Sequence, residues 1–194
     1  MNYMDDPFSR DLRRIEVARR MVLHQVRTQT IVDYTSLTRN RLATLRRRWC
    51  VAESSRRRGP PPRSIAVFLR TPRARSEAAA ILSLCIVIDA LPPPLPKDRA
   101  AHPSLLVADR LCEAFEAFRT WIPNSTIKFE ELLLLANELA TGKLIKLSTC
   151  RGCKSAILIF RNGIPRGTCS HCDRHGAVAV RTEASTSNNA STRL

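Results

Sequence analysis

Cys150-Arg151-Gly152-Cys153 and Cys169-Ser170-His171-Cys172 are two CxxC pairs separated by the fifteen residues 154–168. Spaced this way, four thiolates can converge on one tetrahedral metal ion, each pair supplying two ligands from a tight turn. Between the pairs lies Ala156-Ile157-Leu158-Ile159-Phe160, a β-branched apolar run that reads as a strand. Asn162-Gly163 follows it as a hairpin turn signal. Strand, turn and second knuckle together predict a small β zinc ribbon. One structural zinc per chain, held by Cys150, Cys153, Cys169 and Cys172, is the expectation. His171 and His175 flank Cys172 and offer an alternative ligand in place of a cysteine; with four thiolates already available they are expected on the surface.

Disulfides are the competing use of such cysteines. Residues 1–20 alternate charges and lack the apolar run of a secretory signal, which points to a reducing, cytoplasmic setting. A redox CxxC would need only one pair, within a βαβ context that is missing here. Cys50, Cys85 and Cys112 have no partner at ligand spacing and are expected to be buried free thiols.

The 194 residues suffice for one substantial core plus a small metal-stapled module. With 5% aromatic residues, aliphatic packing must carry that core. A net charge of +15 calls for a polyanionic partner; by charge alone, DNA, RNA and anionic lipid all fit. The distribution says more. Arg39, Arg41, Arg46, Arg47, Arg48, Arg56, Arg57, Arg58 and Arg63 face only one carboxylate, Glu53, across residues 39–63. Such an imbalance does not suit a salt-bridged surface, and arginine suits bidentate phosphate contact and guanine reading. The run predicts nucleic-acid contact.

Upstream of the cysteines the pattern is helical. Ser9 is expected to cap a long first helix with Leu12, Ile15, Ala18, Val22 and Val26 at helical spacing, continuing through Ile31 and Val32. Residues 33–36 break it, and Thr38 caps a second helix. There Leu42, Leu45 and Trp49 form the inward face, while Arg39, Asn40, Arg41, Arg46, Arg47 and Arg48 face outward. A turn followed by a basic helix is what a helix-turn-helix requires, although the turn lacks its usual glycine. An ordinary helical hairpin is the alternative.

Arg56-Arg57-Arg58-Gly59-Pro60-Pro61-Pro62-Arg63 reads as a stiff basic connector. Helices are expected over 76–91, 104–121 and 129–141, the last capped by Ser125 or Thr126 and stopped by Gly142. Residues 143–147 then alternate polar and apolar side chains. The apolar stretch 78–90 is too short to span a bilayer and contains Asp89, so no membrane partner is expected. The fold class is mainly α with a small β zinc ribbon. Its expected parts are residues 1–58 (helix-turn-helix-like, basic), 59–141 (helical core), 142–181 (four-cysteine zinc ribbon) and 182–194 (a disordered tail).

No enzyme constellation emerges. A phosphate-binding glycine loop, an HExxH motif and a nucleophile elbow are all missing, and a four-thiolate zinc leaves no open coordination position. Glu130 and Glu131 start a helix, where its dipole favours carboxylates without catalysis.

Residues 142–150, followed by Cys153 and the Cys169–Cys172 knuckle, resemble the FlhC family, the larger subunit of the proteobacterial flagellar master regulator. Thr38-Arg39-Asn40-Arg41-Leu42 occupies the place of that family's post-turn helix, and Gly59-Pro60-Pro61-Pro62 is similar to its triple-proline connector. The resemblance covers roughly residues 10–180. It implies a transcriptional activator subunit that joins an FlhD partner in an assembly of two FlhC and four FlhD chains. Such an assembly binds promoter DNA upstream of flagellar operons and helps RNA polymerase start there. The dense arginine run and the prolines of 92–96 depart from the family pattern, which points to altered promoters or a weakened partner contact. An RNA-binding zinc-ribbon protein and an assembly subunit that does not itself read DNA are the rival readings.

Overall fold

Asp6 and Pro7 set the start of the first helix. The Asp6 carboxylate accepts the Ser9 amide at 3.1 Å, and Pro7 at the first helical position needs no amide partner. Ser9 is therefore inside the helix and not its cap. The computed structural model describes residues 6–51, 59–60, 62–67, 69–91, 104–161 and 167–175. Arg56, Arg57, Arg58, the Asn162-Gly163 turn, the prolines of 92–96 and the tail lie outside them.

Helix α1 spans Pro7–Leu23, α2 Thr28–Thr35 and α3 Arg39–Arg48. The single long helix expected through Val32 is thus two helices. Gln25 adopts a left-handed φ of 58°, and the Val26 amide turns back onto the Met21 carbonyl at 3.0 Å. This reversal folds α2 against α1 and buries Val26 and Ile31 together with Val17, Ala18, Met21 and Val22. Propensity alone would continue the helix; burial of both apolar faces in one core ends it.

After a single 3-10 turn at Ile65–Val67 comes α4, Pro72–Val87. The Thr71 hydroxyl accepts the Ala74 amide at 3.1 Å, so α4 starts and stops four residues earlier than periodicity suggested. Helix α5 spans Leu105–Trp121 and α6 Phe129–Thr141. Leu111, Cys112, Phe115 and Phe118 form the buried face of α5, as their spacing predicts. The cap of α6 is not Ser125 or Thr126. Glu131 Oε2 reaches back to the Lys128 amide at 2.9 Å, while both hydroxyls turn to the buried Glu77 carboxylate. Gly142 ends α6 with φ 60°, the left-handed conformation that costs a side-chain-bearing residue more.

Strands β1, Ile145–Thr149, and β2, Ala156–Phe160, pair antiparallel with Ile145 opposite Phe160 and Thr149 opposite Ala156. The first knuckle is the turn of this hairpin, and the second opens a short helix, α7, Ser170–His175. The alternation of strand side chains divides the hairpin. Ile145, Leu147, Leu158 and Phe160 join the helical core, where α4 packs on β2 and α6 on β1. Ile157 and Ile159 pack instead with Cys150, Cys169 and Cys172. The fold is mainly helical with this small two-stranded sheet. Among the described residues no helix is long and apolar enough to cross a membrane.

Candidate metal centre and basic helix

The ends of β1 and β2 bring the first cysteine pair to the hairpin tip. Cys150 donates its amide to the Ser155 carbonyl at 2.8 Å, and its own carbonyl accepts from Lys154 at 3.0 Å. Lys154 holds a left-handed φ of 61° to close this turn. The second pair is tied in by main chain: the Arg151 amide donates to the Gly167 carbonyl at 2.8 Å. The Arg151 side chain lies against Gly167, where an added Cβ would come within 2.9 Å of its Nε and displace it.

The Sγ atoms of Cys150, Cys153, Cys169 and Cys172 all lie within 4.8 Å of one another, with Cys153 and Cys169 at 3.6 Å. Tetrahedral thiolate ligands bonded at about 2.3 Å would sit about 3.8 Å apart, so the donor set fits a metal ion. Amides already point at the sulfurs. Cys169 N–H donates to Cys150 Sγ at 3.2 Å and Cys172 N–H to Cys169 Sγ at 3.4 Å, the outer-shell bonds that orient thiolate ligands. Ser155 Oγ lies 2.8 Å from Cys153 Sγ.

These contacts divide the thiols electrically. The amides of Cys153 and then Cys169 pull the Cys150 thiol down to about 6, and the Ser155 hydroxyl lowers that of Cys153. Cys172 is pushed up to about 12, chiefly by the neighbouring Cys169 sulfur and then by burial. Four sulfurs this close do not all ionise without a cation among them. The cluster could hold a metal ion, and its chemistry suits a soft or borderline one.

His171 is exposed and does not join the four sulfurs. Cys85 and Cys112 are buried as expected, and burial pushes both thiols up to about 12. Cys50 is not buried. It follows α3 with φ 54°, and its side chain is exposed because the chain reverses there.

The basic helix takes its place after a three-residue turn. Ser36 adopts φ 57°, doing what the missing glycine would do, and Leu37 is buried between the helices. Thr38 Oγ1 accepts the Arg41 amide at 3.2 Å and caps α3 as its sequence predicts. Leu42 is fully buried, with Leu45 and Trp49 packed on the core edge.

The outward face is less uniform than the residue types suggest. Asn40, Arg47, Arg48 and Arg63 are exposed, and Arg47 donates to Thr44 Oγ1 at 3.3 Å. Arg39 donates to Gln29 Oε1, and Arg41 forms a two-point ion pair with Asp11, with Nη1 2.9 Å from Oδ1. Arg46 corrects the expectation: it is 9% exposed and donates to the Val26 carbonyl at 3.4 Å. Its position one turn after Leu42 puts its aliphatic stem on the inward face, where arginine can pack apolar surface and bond main chain.

Sequence reasoning missed the buried acids that lock the helices. Glu130 accepts the Arg27 amide at 2.9 Å and pairs with its guanidinium, while Arg27 Nε donates to the Gly59 carbonyl at 2.8 Å. This single carboxylate thus joins the starts of α2 and α6 to the connector. No local pattern signals it. No protein-family model matches the chain, and a search of curated proteins finds no match to it.

Proposed function

We propose that this chain is a DNA-binding transcriptional activator subunit of the FlhC type, acting with an FlhD-like partner on flagellar operons. The observation that carries this reading is α3. It is a Thr38-capped helix set on a three-helix core by a tight turn, with Asn40, Arg47 and Arg48 exposed along it. Arg63 and, in sequence, the arginines of 56–58 add further positive charge close after α3. Phosphate contacts from these side chains would set the register of the protein on a duplex, with Asn40 the best placed to reach a base edge.

Zinc is the metal that this reading assigns to Cys150, Cys153, Cys169 and Cys172. Four thiolates, with no fifth donor in the cluster among the described residues, are the ligand set of a structural site. Bound there, zinc would neutralise the thiolates and tie α7 to the hairpin tip, so its role is to hold a fold that buries little apolar surface alone.

The test is co-expression with an FlhD-like chain, followed by complex mass and footprinting on flagellar promoters. A stable hetero-oligomer, two of these chains to four of the partner, and a protected promoter are expected. Absence of both complex and footprint overturns the reading. A second reading follows from Arg39 and Arg41, which are engaged with Gln29 and Asp11 inside the chain. In it this subunit grips phosphate and scaffolds a partner that reads the bases. Asn40→Ala separates the two, because only a base-reading subunit would lose promoter preference while keeping its salt dependence.

A further inference from the structure

In the helices some guanidinium groups are matched by carboxylates: Arg13 and Arg20 by Asp109, Arg20 also by Glu116, Arg73 by Glu77, and Arg110 by Asp89. Arg47 and Arg48 of α3 form no ion pair among the described residues. From residue 143 to 175 the described residues include Lys143, Lys146, Arg151, Lys154, Arg161 and Arg174, against one carboxylate, Asp173. That carboxylate accepts the Thr168 hydroxyl and pairs with none of the six cations. All six are exposed, and among the described residues none forms an ion pair.

Several of these cations are placed by the fold. Arg151 lies along Gly167, Arg174 Nε donates to the Ser170 carbonyl at 3.1 Å, and Arg161 lies beside Gly142. Lys154 sits in the left-handed turn of the first knuckle, and Lys146 stands opposite Ile159 in the hairpin. They therefore run from the open end of the hairpin, at Arg161 and Lys143, to its metal-binding tip. Five strand residues at about 3.3 Å each make this run about 17 Å long. One strand of duplex DNA presents about five phosphates over that length.

We propose that the four-cysteine module is itself a nucleic-acid-binding surface: Lys146, Arg151, Lys154 and Arg174 contact the phosphates of duplex DNA without reading its bases. Six cations against one acid on so small a unit repel one another, and a polyanion relieves that repulsion. A membrane surface fits less well. Leu144 is the one large apolar side chain of the described module among the strongly exposed ones, so there is no apolar face for the cations to flank. The inference rests on the DNA-binding reading of the whole chain and adds a second contact surface to it, far in sequence from α3.

The experiment measures the salt dependence of binding to a random-sequence duplex by the full zinc-loaded chain. Two variants are compared with the parent: Lys146→Gln/Arg151→Gln/Lys154→Gln/Arg174→Gln, and Arg47→Ala/Arg48→Ala. Each lost phosphate contact lowers the slope of log K against log salt by about 0.9, so the module variant is expected to lose up to about 3.6. Metal content and thermal midpoint monitor the fold. Arg151→Lys/Arg174→Lys keeps the charge and is expected to keep the slope; a loss there marks the effect as structural and overturns the proposal. So does a slope unchanged in the module variant while Arg47→Ala/Arg48→Ala lowers it, an outcome that leaves the DNA-binding reading standing. If the parent chain shows no salt-dependent DNA binding, both fail. Tighter binding to anionic vesicles or duplex RNA than to DNA, abolished by the same four substitutions, also overturns it.

Discussion

The amide of Cys169 donates to the Sγ of Cys150 at 3.2 Å across nineteen positions of chain. This bond joins the second knuckle to the first before any metal is considered. With the Cys153 amide, which acts more strongly, it lowers the Cys150 thiol to about 6 although that side chain is fully buried.

The metal dependence of the module follows. Purified chain is expected to carry about one zinc, and Cys150→Ala to carry close to none, because it removes one of the four thiolates that the site needs. Metal analysis and far-UV circular dichroism check this. Near-stoichiometric zinc in Cys150→Ala would remove Cys150 from the ligand set.

Arg46 is expected to behave as a core residue. Arg46→Ala removes a stem packed beside Val26 and a bond to that carbonyl, which costs about 1–3 kcal/mol of stability. The salt slope of DNA binding should stay as it was. Denaturant titration and binding isotherms at several salt concentrations read the two effects separately.

On the DNA-binding reading, Asp11 would compete with DNA for Arg41. The side chains of Arg41 and Asp11 remain 47% and 33% exposed, so their pair adds only about 0.2–1 kcal/mol to stability. Asp11→Asn is therefore expected to lower the folding free energy by no more than that while raising duplex affinity up to about five-fold. Unchanged or weaker binding would place Arg41 away from the phosphates.

Glu77 and Glu116 set the acid limit of the fold. Burial raises the Glu77 carboxyl, but bonds from Arg73, Ser125 and Thr126 outweigh it and hold it below the usual value. Burial likewise raises Glu116, and bonds from Arg20 and His24 outweigh it. A carboxyl depressed by folding contributes stability above its unfolded pKa, and that contribution disappears as pH falls through the folded one. Stability should thus hold from neutrality to about pH 5 and decline below about 4.5. Glu77→Gln is expected to flatten that decline and to cost about 1–3 kcal/mol at neutral pH, since the Ser125 and Thr126 donors lose the charged, buried acceptor they share. Thermal midpoints across this pH range test it.

Much of this architecture is written in short-range signals. The span of α6, the left-handed stop at Gly142, the Thr38 cap and the strand Ala156–Phe160 are all readable within a few residues of themselves. So are the four metal-ligating candidates, because two CxxC turns fix the local geometry of each pair. Charge type was legible as well; charge partnership was not. Arg41 and Arg48 look alike in sequence, yet one meets Asp11 thirty positions away and the other stays exposed.

By itself, then, the sequence determines the elements, the cysteine quartet and the excess of positive charge. The tertiary structure decides which cations remain available to a partner. It splits the expected long helix at Gln25, draws Arg46 inward, joins Arg27 to Glu130 across 103 positions, and leaves the cations of the cysteine module unpaired among the described residues. The physical reason is the range of the forces involved. Caps, turns and knuckles close over three or four residues, whereas an arginine finds its carboxylate only after packing has brought distant helices together.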